Sequence, residues 1–192
     1  RDMAFVINVS GPGIPAAETT IDQAANEMAA RGMPALDVAQ IVAAMKLGYE
    51  FARTGEGWAE YNAPLELLAA RRGPPPSAFP RTPDHPYWQF IRRLYFYDPA
   101  PTLRQLRVPT LALFGELDNN VLPEKNRTAW ETALKAGGHQ DYTLLTLPRA
   151  NHIHLEAKVG SNAEMPSLQR FVPAYFTTIR EWLATRTRGF KP

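Results

Sequence analysis

Two groups in this chain have the types and spacing for proton-transfer chemistry. Asp118 closes the run Arg107-Val-Pro-Thr-Leu-Ala-Leu-Phe-Gly-Glu-Leu-Asp118. His152 lies in Leu147-Pro-Arg-Ala-Asn-His-Ile-His154. An imidazole acts as a general base when one ring nitrogen gives its proton to a carboxylate. The other nitrogen is then free to accept a proton from a nucleophile, and the carboxylate stabilises the imidazolium that forms. The pair is two thirds of a charge-stabilised triad. The remaining third, a nucleophile on a sharp turn, is not visible in the 192 residues. Glu116 is an alternative acid and His154 an alternative base. A Gly-x-x-Asp after a strand is also a common turn in which the aspartate caps a backbone amide. His85 and His139 lack comparable surroundings and read as surface or packing residues.

The elements around these residues decide whether they can meet. Thr110 to Phe114 reads as a buried strand, with Gly115 permitting a bend before Asp118. Pro123 and Glu124 open a helix through about Ala136, which Gly137-Gly138 ends. Tyr142 to Leu147 is a further strand. Ala4 to Val9 is a short β-branched run, stopped by Ser10-Gly-Pro-Gly13. Strands alternating with helices imply a parallel sheet with buried faces, whose functional groups gather at the carboxyl ends of the strands. Asp118 and His152 both follow such ends. Their separation of 34 positions holds one helix and one strand, so a right-handed crossover makes the two strands neighbours.

Residues 14–97 read as a helical insertion between 1–13 and 98–192, which belong to the α/β core. Thr20 and Gln23 have capping-box spacing and Gly32 is a stop. A second helix carries Val38, Ile41, Val42, Met45, Tyr49 and Phe51, and a third runs from about Trp58 to Ala70. Arg71 to Ser77 is a proline-rich extended connector, and His85 to Tyr97 is an aromatic helix. The last helix places Phe171, Val172, Tyr175, Phe176, Ile179, Trp182 and Leu183 on one face, with Pro173 suited to its first turn.

Together these residues resemble the C-terminal half of the α/β-hydrolase superfamily, in its esterase and prolyl-oligopeptidase-like branches. Pro109 to Asp118 matches the end of that fold's seventh strand, His152 its catalytic histidine after the eighth, and Ala4 to Val9 its sixth. Residues 14–97 fall where the family inserts a helical cap. The resemblance implies a serine hydrolase acting on small ester, amide or peptide substrates, without metal or organic cofactor. Asp118 would orient the imidazole and His152 would serve as base and acid. Trp58, Tyr87, Trp88 and Phe90 of the cap would line an apolar substrate pocket. Ordinary helix packing is the competing role for each.

The family's Gly-x-Ser-x-Gly elbow is absent. Ser10 has Asn8 and Pro12 where the elbow has glycines, and reads as turn geometry beside the pocket. Ser77, Ser161 and Ser167 lack elbow context too. The oxyanion-hole segment would lie upstream of Arg1. The chain begins with arginine and not methionine, which fits a fragment, a processed form or a trimmed piece. The expectation is a C-terminal portion of a hydrolase, inactive alone. Its first strand would expose an edge for the upstream half of the fold or for a second copy. The alternatives are a non-catalytic binding or assembly module and, more remotely, a nucleotide-binding protein. The last lacks Gly-x-Gly-x-x-Gly and phosphate-loop signatures.

Composition fits this reading. The chain is 45% hydrophobic and 21% charged, which allows a packed core. A net charge of +2 without a basic stripe argues against nucleic-acid binding. Arg186, Arg188 and Lys191 read as a solvated tail. The absence of cysteine excludes disulfides, a thiol nucleophile and thiolate-bound metal. No apolar run reaches the roughly 20 residues needed to cross a bilayer. The compartment stays open: soluble, cytoplasmic or exported.

Overall fold

A computed structural model describes residues 3–72 and 80–186. Of the extended connector expected over Arg71 to Ser77, Arg71 and Arg72 are instead the last residues of a helix, Trp58–Arg72, and the remainder, with Ser77, lies outside the described residues, as do Arg188 and Lys191. The chain divides into two compact units, Arg1–Gly13 with Pro99–Pro192, and Ile14–Asp98.

The first unit is mixed α/β. Its elements are β1 (Val6–Val9), β2 (Thr110–Gly115) and β3 (Tyr142–Leu147), with helix α6 (Pro123–Ala136) between the last two and α7 (Ala174–Arg186) at the end. The strands form one parallel sheet in the order β1-β2-β3. All six residues of β2 are buried, because strands flank both its edges and helices cover both its faces. Ala112 and Phe114 face Trp130, Ala133 and Leu134 of α6; Leu111 and Leu113 face Trp182. That alternation is why a central parallel strand reads as one unbroken apolar run.

Two short elements escaped sequence analysis, the helix α5 (Ala100–Leu103) and a 3₁₀ turn over Asn162–Ser167. Both are too short to show a period. The last helix begins at Ala174, so Pro173 precedes its first turn and Phe171 and Val172 lie outside it, and its apolar residues do not share one face. Trp182 is buried, whereas Phe176 is 60% exposed. Two bulky aromatics in one turn cannot both point at the sheet, and Tyr175 takes the inner position.

The second unit is helical: α1 (Ala16–Ala30), α2 (Ala35–Thr54), α3 (Trp58–Arg72) and α4 (Tyr87–Leu94). The expected capping box does not form. Helix α1 starts at Ala16 behind Pro15, and Thr20 donates its hydroxyl to the Ala16 carbonyl, 2.8 Å away. Pro15 is the residue at the helix start, so Thr20 lies a full turn inside the helix, where there is no free end for it to cap. The aromatic helix is shorter than His85 to Tyr97, since it starts after Pro86 and stops at Leu94. Arg92 ties α4 to α2 by donating Nε to the Ala52 carbonyl at 2.6 Å.

Trp88 anchors the core of this unit. Its ring lies edge-on to Phe51 (5.0 Å), Tyr61 (5.5 Å) and Trp58 (6.1 Å), and its Nε1 donates to the Thr82 carbonyl at 2.9 Å. Phe90, two residues on, is 45% exposed. Trp88→Ala is therefore expected to cost about 3–5 kcal/mol in urea unfolding. Phe90→Ala should stay within about 0.5 kcal/mol of the parent. Equal losses at both positions would contradict this description of the core.

Candidate active site

The loops leaving β2 and β3 keep pairing after the strands end. Glu116 donates its amide to the Leu147 carbonyl (3.0 Å) and Leu117 to the Ala150 carbonyl (2.8 Å). Gly115 makes this approach possible. A β-carbon there would lie 2.5 Å from the carbonyl oxygens of both Ala150 and Asn151. So the glycine that ends β2 is required by the histidine loop pressed on it.

Asp118 follows as a turn, its amide bonded to the Gly115 carbonyl at 3.1 Å. The carboxylate is 1% exposed. Oδ1 accepts the amides of Asn120 (2.9 Å) and Val121 (2.8 Å), and Oδ2 is 3.0 Å from Nδ1 of His152. The turn-capping reading and the charge-pair reading thus hold together, one on each oxygen. With Nδ1–H donating to Oδ2, Nε2 is left as the free acceptor of a ring whose side chain is 34% exposed. The hydrogen bond that the His152 imidazole donates to Asp118 holds it above its ordinary pKa, partly offset by burial.

Asn151 shapes the loop that carries His152. Its Oδ1 accepts the amides of Ile153 (3.1 Å) and Leu155 (2.9 Å), and its amide donates to the Leu155 carbonyl at 3.1 Å. Sequence reasoning missed this residue. An asparagine just ahead of the histidine was the available signal, because its side chain mimics a backbone turn.

The other candidates are placed elsewhere. Glu116 is exposed and accepts the Arg149 amide at 2.8 Å. His154 is fully buried, with Nε2 3.1 Å from Ser10 Oγ. This buried Ser10–His154 pair was not foreseen. His139 is buried, 2.9 Å from the Val108 carbonyl, and His85 accepts the Tyr87 amide at the start of α4. Ser161 accepts the Ala163 amide and Ser167 donates to the Glu164 carbonyl. In the second unit, Trp58 is half-buried against Trp88, and Tyr87 stacks on Phe90 at 5.4 Å. Among the described residues, no cluster of three or more histidine, aspartate or glutamate side chains could hold a metal. No helix among them is long and apolar enough to cross a membrane.

No family model and no curated protein matches the sequence. Among solved structures, MenH from S. aureus is similar over 96% of this chain, at 17% identity and a TM-score of 0.39. The chain spans 60% of that protein's length. A likeness this loose decides nothing about the site, whose geometry stands by itself.

The two histidines of the loop make opposite contributions to stability. His152 has a folded pKa above the unfolded 6.5, so its contribution is full below pH 6.5 and is lost as pH rises through the folded value. Burial pushes His154 down to about 4. Between pH 6.5 and about 4 the unfolded chain binds a proton that the folded chain refuses, so stability falls on acidification by about 3 kcal/mol at most. His154→Phe is expected to lose less stability than the parent between pH 7.5 and 4.5 in urea unfolding. Identical acid sensitivity would show that His154 is not buried neutral. Gly115→Ala should cost about 1–3 kcal/mol, because the clashing atoms are backbone. A neutral result in the same assay would mean that the histidine loop does not rest on this residue.

Proposed function

We propose that this chain carries the acid and the general base of a serine-type α/β-hydrolase that cleaves ester, amide or peptide bonds. The nucleophilic serine would come from polypeptide outside these 192 residues. The observation that carries the proposal is the two-sided hold on Asp118. One oxygen is fixed by the turn and the other faces His152 Nδ1 at 3.0 Å, leaving Nε2 free. The parallel three-stranded sheet, with both groups on loops past its strand ends, is consistent with such a fold.

In this reading Nε2 of His152 takes the proton of the serine hydroxyl as its oxygen attacks the substrate carbonyl carbon. The imidazolium, stabilised by Asp118, then protonates the leaving alcohol or amine as its bond to the acyl carbon breaks. Water, deprotonated by the same nitrogen, releases the acid product and frees the serine. No step calls for a metal or organic cofactor. The incoming half would pair with the free edge of β1, which has no partner strand among the described residues. A second copy is the other occupant of that edge. Of the four cap aromatics, Phe90 is exposed and stacks on half-buried Tyr87, while Trp88 and Trp58 pack on each other within the helical unit.

A binding or assembly module is the second reading. It is favoured by the absence of Gly-x-Ser-x-Gly and of any hydroxyl bonded to His152 among the described residues. Fluorophosphonate separates the two. The chain alone is expected to resist labelling. Mixed with a polypeptide that carries the elbow serine, it should support labelling and ester hydrolysis. His152→Ala should then cost about 10⁴–10⁶ in turnover, in line with triad deletions in subtilisin. Labelling of Ser10 in the isolated chain would overturn the assignment of the missing nucleophile. Hydrolysis indifferent to His152 would overturn the whole reading.

A further inference from the structure

Two residues with left-handed backbone meet inside the first unit. Ser10 has φ 50° and His154 has φ 61°. Such angles strain a residue with a β-carbon, and they persist where surrounding contacts hold them. Ser10 directly follows β1, and its amide still donates to the Leu113 carbonyl at 2.8 Å. Its Oγ lies 3.1 Å from His154 Nε2, with Ser10 4% and His154 0% exposed. The main chain of His154 is held on both sides: its amide donates to the Asn151 carbonyl (2.9 Å) and its carbonyl accepts the Val172 amide (3.0 Å).

His154 is an expensive choice for mere filling. Its ring stacks on Tyr175 of α7 at 4.8 Å, and a phenyl ring would do the same. The imidazole also leaves Nδ1 buried with no hydrogen-bond partner among the described residues. Packing alone does not call for histidine here; a bond to Ser10 does. The titratable groups that act on His154 are Asp118 from the β2 exit loop and His152 from its own loop, and Tyr175 lies against its face. Burial keeps the ring neutral at pH 7, so it does not compete with His152 for the charge of Asp118.

His152 and His154 flank Ile153 on one tight turn, closed by Asn151 Oδ1. One side chain reaches Asp118 and the other reaches Ser10. We propose that His154, bonded to Ser10, is a positioning residue that pins this turn to the end of β1 and so sets the ring of His152 against Asp118. The proposal rests on the acid–base reading above. Ser10 thereby has a role in the site other than nucleophile.

The test is a pH titration of the imidazole resonances of the full chain by NMR, in the parent, Asp118→Asn, Ser10→Ala and His154→Phe. His154→Phe keeps the stack on Tyr175, and Ser10→Ala removes one oxygen; amide spectra report folding. The parent His152 should titrate above 6.5, and Asp118→Asn should return it to the ordinary range. Ser10→Ala and His154→Phe should each lower the His152 midpoint by about 0.5 unit or more, roughly a threefold loss in proton affinity. A His152 midpoint unmoved by both, while still sensitive to Asp118→Asn, overturns the positioning role alone. A midpoint insensitive to Asp118→Asn sinks the acid–base reading and the positioning role with it. Should one variant fail to fold, the other decides.

Discussion

The site depends on the pairing of two exit loops. Parallel strands β2 and β3 run in register from Thr110 opposite Tyr142 to Gly115 opposite Leu147. The Glu116 and Leu117 amides then carry the pairing into the loops. A carboxylate three residues past Gly115 and an imidazole five past Leu147 are thereby held at hydrogen-bond distance. Nothing bulkier than glycine fits at the junction, since the carbonyls of Ala150 and Asn151 occupy the space a side chain would need. The geometry of the acid and the base is thus a property of the sheet.

Electrostatics follows from that placement. The buried charge of Asp118 is tolerable because each oxygen is hydrogen-bonded, two amides on one and His152 on the other. The hydrogen bond to the same carboxylate holds His152 above its usual pKa, while His154, two residues away and out of solvent, is pushed down to about 4. Environment alone separates two chemically identical side chains into one ring ready to carry a proton and one that refuses it.

Sequence patterns revealed the sheet and its order of elements better than they revealed side-chain direction. Helix α6 is bounded by Pro123 and Gly137, and β3 by Tyr142 and Leu147, as the turn residues and apolar runs indicate. Spacing past strand ends was enough to single out Asp118 and His152. Local patterns failed where a neighbour overrode them. The start of α1 at Pro15 left Thr20 a full turn inside the helix, and Tyr175 displaced Phe176 from the sheet-facing side. The Ser10–His154 contact joins residues 144 positions apart, and no periodicity carries such information. The signal that was present, two histidines bracketing one residue, only says that they point different ways from a turn.

The acid–base role of the pair depends on which nitrogen of His152 carries the proton. The most direct measurement is the ¹⁵N spectrum of the His152 ring in the neutral protein, above its titration midpoint. A protonated Nδ1 facing Asp118 and a bare Nε2 are the expected result. A neutral ring with its proton on Nε2 would leave no acceptor for a nucleophile's hydroxyl and would contradict the role of His152 as general base.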